Sequence, residues 1–328
     1  MTTCSYHCDS FFFTNTKEKF EITGILSGFA DSTLIYLDDV PTSSPVHIDS
    51  TLVINNQFHF SGSIKGEVSN VILRTKTFSD YKFFWLENSA ITFKAEKGKF
   101  RQATIIGSGT QNEQNQLDAA IKKAGKEKEQ CILFIQNHPN SIISANILSV
   151  YSSTWGKDTA TILYRKLSKK IKNTIYGQNI LAFITLNKNI KVGNKYVDFT
   201  EQNVEGKNVS LSDYNGKIVL LEFWGSWCGP CREGNPELVK IYNEFKNAGF
   251  EILGVAADDN KELWINAIQK DSLNWPNVTD LKGDKNKAVL VYGISYYPAN
   301  FLIDRNGFII AKDLRGEALR NKLRQILK

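Results

Sequence analysis

The segment Trp227-Cys228-Gly229-Pro230-Cys231 constrains this chain more than any other. It follows an apolar run broken by one acid, 218–223 (IVLLEF), which has the character of a strand buried on both faces. It precedes a stretch of helical character over 235–247. Two cysteines three apart at a helix start can close a disulfide while the first stays accessible. The unsatisfied N–H groups and positive end of the helix stabilise a thiolate there. The thiolate is the attacking species in disulfide exchange. Cys228 is therefore the expected nucleophile and Cys231 the expected resolving thiol. Half a zinc site and a pair of inert thiols are the other readings of this spacing. A structural zinc site takes about four ligands. The chain has no second CxxC, and its four histidines all precede residue 139.

The pattern after the motif extends the sheet. Residues 251–257 (EILGVAA) read as a second buried strand, 262–270 and 286–292 as helices, and 301–304 with 308–311 as a hairpin around Asp304-Arg305-Asn306-Gly307. Residues 316–328 close as a helix. Strands alternating with helices, then a hairpin and a final helix, predict an α/β sheet with an antiparallel edge. Trp224 is expected in the core. Trp227 is expected beside the thiols, shielding them and shaping a contact surface.

The first half has another texture. Segments 19–26, 33–37, 57–63, 68–75, 81–86 and 90–95 are short, rich in β-branched and aromatic residues, and separated by turn-like clusters. They predict a small antiparallel sandwich or barrel. Residues 111–176 turn helical. Within them 158–176 reads as one amphipathic helix, with Leu163, Leu167, Ile171 and Ile175 on one face and Arg165, Lys166, Lys169, Lys170 and Lys172 around the rest. The basic positions are expected to be solvated; docking of an acidic partner or a membrane is the other reading.

Composition limits the function classes. With 328 residues and 42% hydrophobic content, the chain can build real cores, and its length suggests about two domains. The net charge of +6 divides as +5 over 1–190 and +1 over 191–328, and neither is the concentrated field of a nucleic-acid binder. Five cysteines are too few for a disulfide-built scaffold. Cys131, in the apolar stretch EQCILFI, reads as a small buried hydrophobe. Cys4 and Cys8, with His7, fall in a tail expected to be disordered, with metal binding or lipid attachment as alternatives. His47, His59 and His138 have no matching ligand cluster. No stretch approaches the roughly 20 apolar residues that cross a bilayer. The start lacks the basic and apolar regions of a signal peptide, so a cytoplasmic chain and one whose leader is missing both stay open.

Several pieces together resemble a known family. FWGSWCGPC (223–231) resembles the active-site segment of the thioredoxin superfamily. Glu222 stands where thioredoxins keep a buried acid, and Tyr297-Pro298 resembles their cis-proline loop. The extra helix and connection between 258 and 280 resemble the insertion of the TlpA/ResA-like envelope oxidoreductases. Tyr196 to Thr200, Gly206-Lys207 and Leu211-Ser212-Asp213 resemble that family's N-terminal hairpin. This resemblance covers 190–328. ILSGFADSTLIYL and IDSTLVINNQFHFSGSI are similar to a poorly characterised domain often fused ahead of such modules.

The resemblance implies an α+β multi-domain chain. An N-terminal antiparallel β-sandwich-like domain (17–108) and a helical connector (109–185) precede a C-terminal thioredoxin-like α/β domain (190–328). It implies a thiol–disulfide oxidoreductase that exchanges disulfides with a client protein and is recharged by an upstream thiol reductant. No metal and no cofactor beyond the Cys228–Cys231 disulfide is expected. Cys228 would attack, Cys231 would resolve, and Glu222, desolvated and raised in pKa, would shuttle the proton of Cys231. An acid that merely reaches solvent at the strand end is the other reading of Glu222. Trp227, Gly229, Pro230, Tyr297 and Pro298 would contact the client. Two positions depart from the family: Tyr297 is bulkier than the usual residue before the proline, and 251–257 lacks the Lys that pairs the buried acid in cytosolic thioredoxins.

Gly-Pro between the cysteines accompanies the reducing members, so a reductant is expected over a disulfide donor. Relatives imply an envelope or periplasmic location and service to cytochrome c maturation, with no nucleic acid. Peripheral or lipid-anchored membrane association is left open. Cys4 resembles a lipoprotein cysteine, but Thr3 precedes it where a smaller residue is usual. Two rival functions remain. A peroxiredoxin-like thiol peroxidase would need a Thr three residues before its cysteine and a Pro seven before; Gly225 and Leu221 stand there. A non-catalytic, client-binding envelope protein fits the first 190 residues, which carry no catalytic constellation.

Overall fold

The computed structural model describes residues 19–40 and 45–327; Cys4, His7 and Cys8 lie outside them. Contacts divide the chain into two units, one ending at Ala119 and one beginning at Ala120.

The first unit holds strands β1 (Phe20–Ser27), β2 (Leu34–Asp39), β3 (Val46–Leu52), β4 (Gln57–Gly62), β5 (Val68–Thr75), β6 (Tyr81–Glu87), β7 (Ala90–Glu96) and β8 (Thr104–Ile106). They form two four-stranded sheets, in the orders β4-β1-β7-β8 and β3-β2-β5-β6. Alternation decides what β1 and β4 bury, whereas β5 and β6 each carry three consecutive buried residues. On β1, Phe20, Ile22, Gly24 and Leu26 face inward and Glu21, Thr23, Ile25 and Ser27 outward. Residues of both sheets, among them Phe20, Ile22, Leu37, Phe60, Leu73, Phe84 and Phe93, share one core, which makes the pair a sandwich.

One strand pair departs from the antiparallel expectation. β1 and β7 run parallel, with Ile22 beside Ile91. A parallel pair needs a long crossover, and the intervening strands supply it. β3 and β8 are additions to the expected strands. β3 is exposed along nearly its whole length and β8 has three residues, so neither offers an alternation to read.

The sandwich core has little slack at Gly24. A β-carbon built there lies 1.7 Å from the Phe58 ring. Gly24→Ala must push that buried ring aside, and we expect a loss of about 1–3 kcal/mol, the usual scale of overpacking. Chemical denaturation should show a lower midpoint at unchanged slope. Parental stability would mean that Phe58 has room to move.

Helices follow: α1 (Gly109–Ala124), α2 (Glu127–Asn137), α3 (Ile142–Trp155), α4 (Lys157–Lys166), α5 (Lys169–Lys172) and α6 (Ile175–Leu186). Cys131 on α2 is buried, in the setting its sequence predicts. The single helix expected over 158–176 is corrected to three pieces. Ser168 and Thr174 leave helical geometry and accept hydrogen bonds from the N–H groups of Ile171 and Gly177, which caps α5 and α6. Leu163, Leu167 and Ile171 are buried as expected, but Ile175, now opening a new helix, is exposed.

The rest of the second unit comprises β9 (Thr200–Asn203), β10 (Asn208–Ser210), β11 (Ile218–Trp224), α7 (Gly229–Phe245), β12 (Phe250–Ala256), α8 (Lys261–Lys270), β13 (Asn277–Thr279), α9 (Lys287–Tyr292), β14 (Ala299–Ile303), β15 (Ile309–Lys312) and α10 (Gly316–Ile326). Its sheet runs β10-β9-β13-β12-β11-β14-β15. β11 is parallel to β12 and antiparallel to β14, and every one of its residues is buried. Val219, Leu221 and Phe223 enter one core cluster with Tyr292 and Phe301. Ile218, Leu220 and Trp224 enter the other, with Leu319, Leu323, Cys228 and Cys231. The two-residue period therefore places Glu222 on the face of the sheet that carries the cysteines. The β14–β15 turn forms where Asn-Gly predicts it. Gly307 has φ +81°, and the Asp304 carboxylate accepts from the N–H groups of Asn306 and Phe308 at 2.9 and 2.8 Å.

Candidate active site

The chain leaves β11 through Gly225-Ser226-Trp227 and enters α7 at Cys228, the N-cap residue. Pro230 lies in the first turn, where its missing N–H is no loss. The Cys228 Sγ accepts the Cys231 N–H at 3.2 Å, and a disulfide joins the two residues. An N–H aimed at that sulfur would stabilise negative charge on it after reduction.

Several contacts fix the loop ahead of Cys228. The Ser226 N–H donates to Asp258 Oδ2 at 2.9 Å, and its hydroxyl to Asp258 Oδ1. Burial raises the pKa of Asp258, and the Ser226 bonds oppose that shift. Arg232 donates to the Ser226 carbonyl at 3.0 Å while its guanidinium grips Asp271. The Trp227 indole N–H donates to the Ala257 carbonyl at 2.8 Å, and its ring meets Tyr297 edge-on, centroids 5.3 Å apart. Asp258 and Arg232 were not singled out from sequence, because nothing in their spacing ties them to Ser226.

Exposure corrects one expectation. Cys228 is 4% exposed and Cys231 3%, so the first cysteine is no more accessible than the second in the disulfide form. Both cysteines belong to the buried cluster that also holds Trp224. The exposed rim consists of Trp227, Gly229 and Pro230. Gly225 is equally constrained, since a β-carbon there would lie 2.7 Å from the Trp227 indole nitrogen. The threonine that the peroxidase alternative requires would have to displace the Trp227 ring at this position.

Glu222 is 6% exposed, which removes the reading of an acid reaching solvent. Its Oε1 lies 3.4 Å from Arg315 Nη1, and its buried Oε2 has no hydrogen-bond partner. Burial pushes its pKa up to about 7, and the Arg315 charge opposes that shift. The cation missing from the neighbouring strand is thus supplied from the start of α10. The one sequence signal for it was negative: a buried acid without a local partner needs a cation from elsewhere.

The Tyr297–Pro298 peptide is cis. The Tyr297 hydroxyl donates to Asp284 Oδ1 at 3.1 Å. Burial, then the Asp284 charge, holds this phenol well above its ordinary pKa, so it stays neutral. The fold thus brings Trp227 and Tyr297 into contact and sets Cys228, Cys231 and Glu222 on one face. Among the described residues no group of three His, Cys, Asp or Glu side chains is placed to hold a metal ion.

Residues 192–312 match the model of the AhpC/TSA family, and 20–114 match a domain of unknown function (DUF4369). The thiol-disulfide oxidoreductase ResA of Bacillus thuringiensis subsp. konkukian (strain 97-27) is 32% identical over 147 residues, 45% of this chain and 83% of that protein. ResA of Geobacillus thermodenitrificans (strain NG80-2) is 31% identical over 168 residues, 51% of this chain and 92% of its own length. Among solved structures, the thioredoxin domain of a thiol-disulfide oxidoreductase from Bacteroides vulgatus is 39% identical. It covers 42% of this chain and 99% of that one, with a TM-score of 0.40.

Proposed function

The chain belongs to the ResA-like thiol–disulfide oxidoreductases, and from that premise we propose that it acts as a reductant of disulfides in client proteins. The observation that carries this reading is the Cys228–Cys231 pair at the N-terminus of α7. In its dithiol form, the Cys228 thiolate attacks one sulfur of the client disulfide. A Cys228–client bond forms and the other client sulfur leaves as thiolate. Cys231 gives its proton to the Glu222 carboxylate and attacks the Cys228 sulfur. The enzyme disulfide closes and the second client sulfur leaves, so two electrons have passed to the client. A separate dithiol reductant then restores the pair. Trp227, Gly229, Pro230, Tyr297 and Pro298 form the contact surface in this proposal, which includes the three-part division at 17–108, 109–185 and 190–328.

Likeness to ResA supports an envelope location and clients of the kind matured for cytochrome c. No helix among the described residues is long and apolar enough to cross a membrane. The direction of electron flow rests on the Gly-Pro dipeptide. Equilibrating the oxidised protein with thiol buffers should give a potential near that of thioredoxin, about −270 mV. A value above about −180 mV would make the protein an oxidant and overturn the reductant reading.

A further inference from the structure

Glu222 is held by an arrangement the reaction has not yet used. Asn300 is its cross-strand neighbour on β14 and is 1% exposed. The Asn300 amide is held at both ends by one residue: its Nδ2 donates to the Leu314 carbonyl at 2.9 Å, and its Oδ1 accepts the Leu314 N–H at 3.0 Å; the same side chain also favours the charged form of Glu222 by hydrogen bonding. The Asp313 N–H donates to the Asn300 carbonyl at 2.9 Å, and Asp313 Oδ1 accepts the Asn300 N–H at 3.3 Å. Residues 313 and 314 are therefore sewn to β14 directly opposite Glu222. The next residue, Arg315, emerges with its guanidinium 3.4 Å from the carboxylate while remaining 43% exposed itself. Asp313 also accepts the hydroxyl of Tyr296, at the start of the cis-proline loop. Two features of this geometry are informative. A buried amide held at both ends by one backbone residue fixes that residue's position, since both bonds must be kept at once. A guanidinium that touches a buried carboxylate and also reaches solvent acts on that carboxylate's charge without itself being desolvated.

We propose that Arg315 is the positioning residue of the resolving step: it holds the Glu222 carboxylate and sets how readily that group takes the proton of Cys231. The inference rests on the reading of Glu222 as proton carrier given above. The charged groups facing Glu222 are Arg315, at the start of α10, and Asp313, after β15, whose charge acts in the opposite sense. Its cross-strand neighbours on β12 and β14, Gly254 and Asn300, carry no charge. On the α7 side the facing groups are Cys228 and Cys231, uncharged while joined.

The test compares Arg315→Gln, Arg315→Lys and Glu222→Gln by single-turnover reduction of a model disulfide across pH, with thermal melts as a check on folding. Loss of the cation should move the alkaline-rising limb of the resolving rate upward by about one pH unit, the low end for a close opposite charge because Arg315 is half-exposed. At pH 7 that is a fall of roughly fivefold in the ionised fraction of Glu222. Arg315→Lys should restore the limb, and Arg315→Gln combined with Glu222→Gln should match Glu222→Gln alone. Infrared titration of the buried carboxyl reads the same shift without turnover. If Glu222→Gln removes the limb but Arg315→Gln leaves it in place, the Arg315 proposal falls and the Glu222 reading stands. If Glu222→Gln keeps the limb, both fall.

Discussion

Cys228→Ser should abolish disulfide exchange, with a loss of at least ~10³-fold, the scale seen when a covalent nucleophile is removed from a site whose members act as a unit. The reason is chemical. A serine hydroxyl is not ionised at neutral pH, and even the oriented N–H of Cys231, which meets the sulfur at 3.2 Å in the disulfide form, cannot make it so. Cys231→Ser should behave differently. The first attack survives, since Cys228 still caps α7, but no second thiol is present to break the Cys228–client bond. The variant should therefore accumulate a mixed disulfide that disappears on adding dithiothreitol, and mass spectrometry of that species identifies the client. Burial adds a condition. Cys228 is only 4% exposed in the disulfide form, so alkylation should be faster after reduction than the disulfide-form exposure implies, because opening the bond frees Sγ to turn toward the Trp227 rim. A mixed disulfide that accumulates on Cys231 of the Cys228→Ser variant, with none on the Cys231→Ser variant, would reverse the assigned roles.

The motif was legible because its determinants are local. A buried strand, two cysteines at fixed spacing and a helix start all lie within one short segment, and the two-residue period of β11 assigns its faces. Other parts of the site depend on residues distant in the chain. Glu222 and Arg315 are 93 positions apart and meet only because Asn300 ties Leu314 to the neighbouring strand. Ser226 and Asp258 are 32 apart and meet only because β11 and β12 lie side by side. In the first unit most strands were readable from β-branched and aromatic segments between turn clusters, but the parallel β1–β7 pair was not, since pairing partners are chosen by the closed core rather than by either strand. The misread 158–176 helix has the opposite cause. Ser168 and Thr174 fit a helical period, yet their side chains compete for backbone N–H groups, and here that competition wins.

Glu222→Gln should slow the enzyme and stabilise it, two effects of opposite sign from one substitution. The folded-state pKa of about 7 lies above the ordinary value for a glutamate, because burial disfavours its charged form. Folding therefore favours the protonated acid. That contribution is fully present below about pH 4 and is lost as pH rises through about 7. Above that point the folded protein carries a buried carboxylate that a half-exposed Arg315 and the Asn300 amide offset in part. Glutamine has nearly the same shape and no charge to desolvate. The variant should match the parent at pH 4 and exceed it by about 2–3 kcal/mol at pH 8, read from denaturation midpoints of the oxidised forms. Activity should move the other way. The resolving step should lose about 10²-fold at pH 8, the low end for a positioned general base, along with its alkaline-rising limb. The pairing of the two effects is what makes the test sharp. Removing a carboxyl that mattered only for structure would leave the rate profile untouched. Equal stability at both pH values would mean instead that the carboxylate is solvated in solution, and the proton route to Cys231 would have to pass through another group.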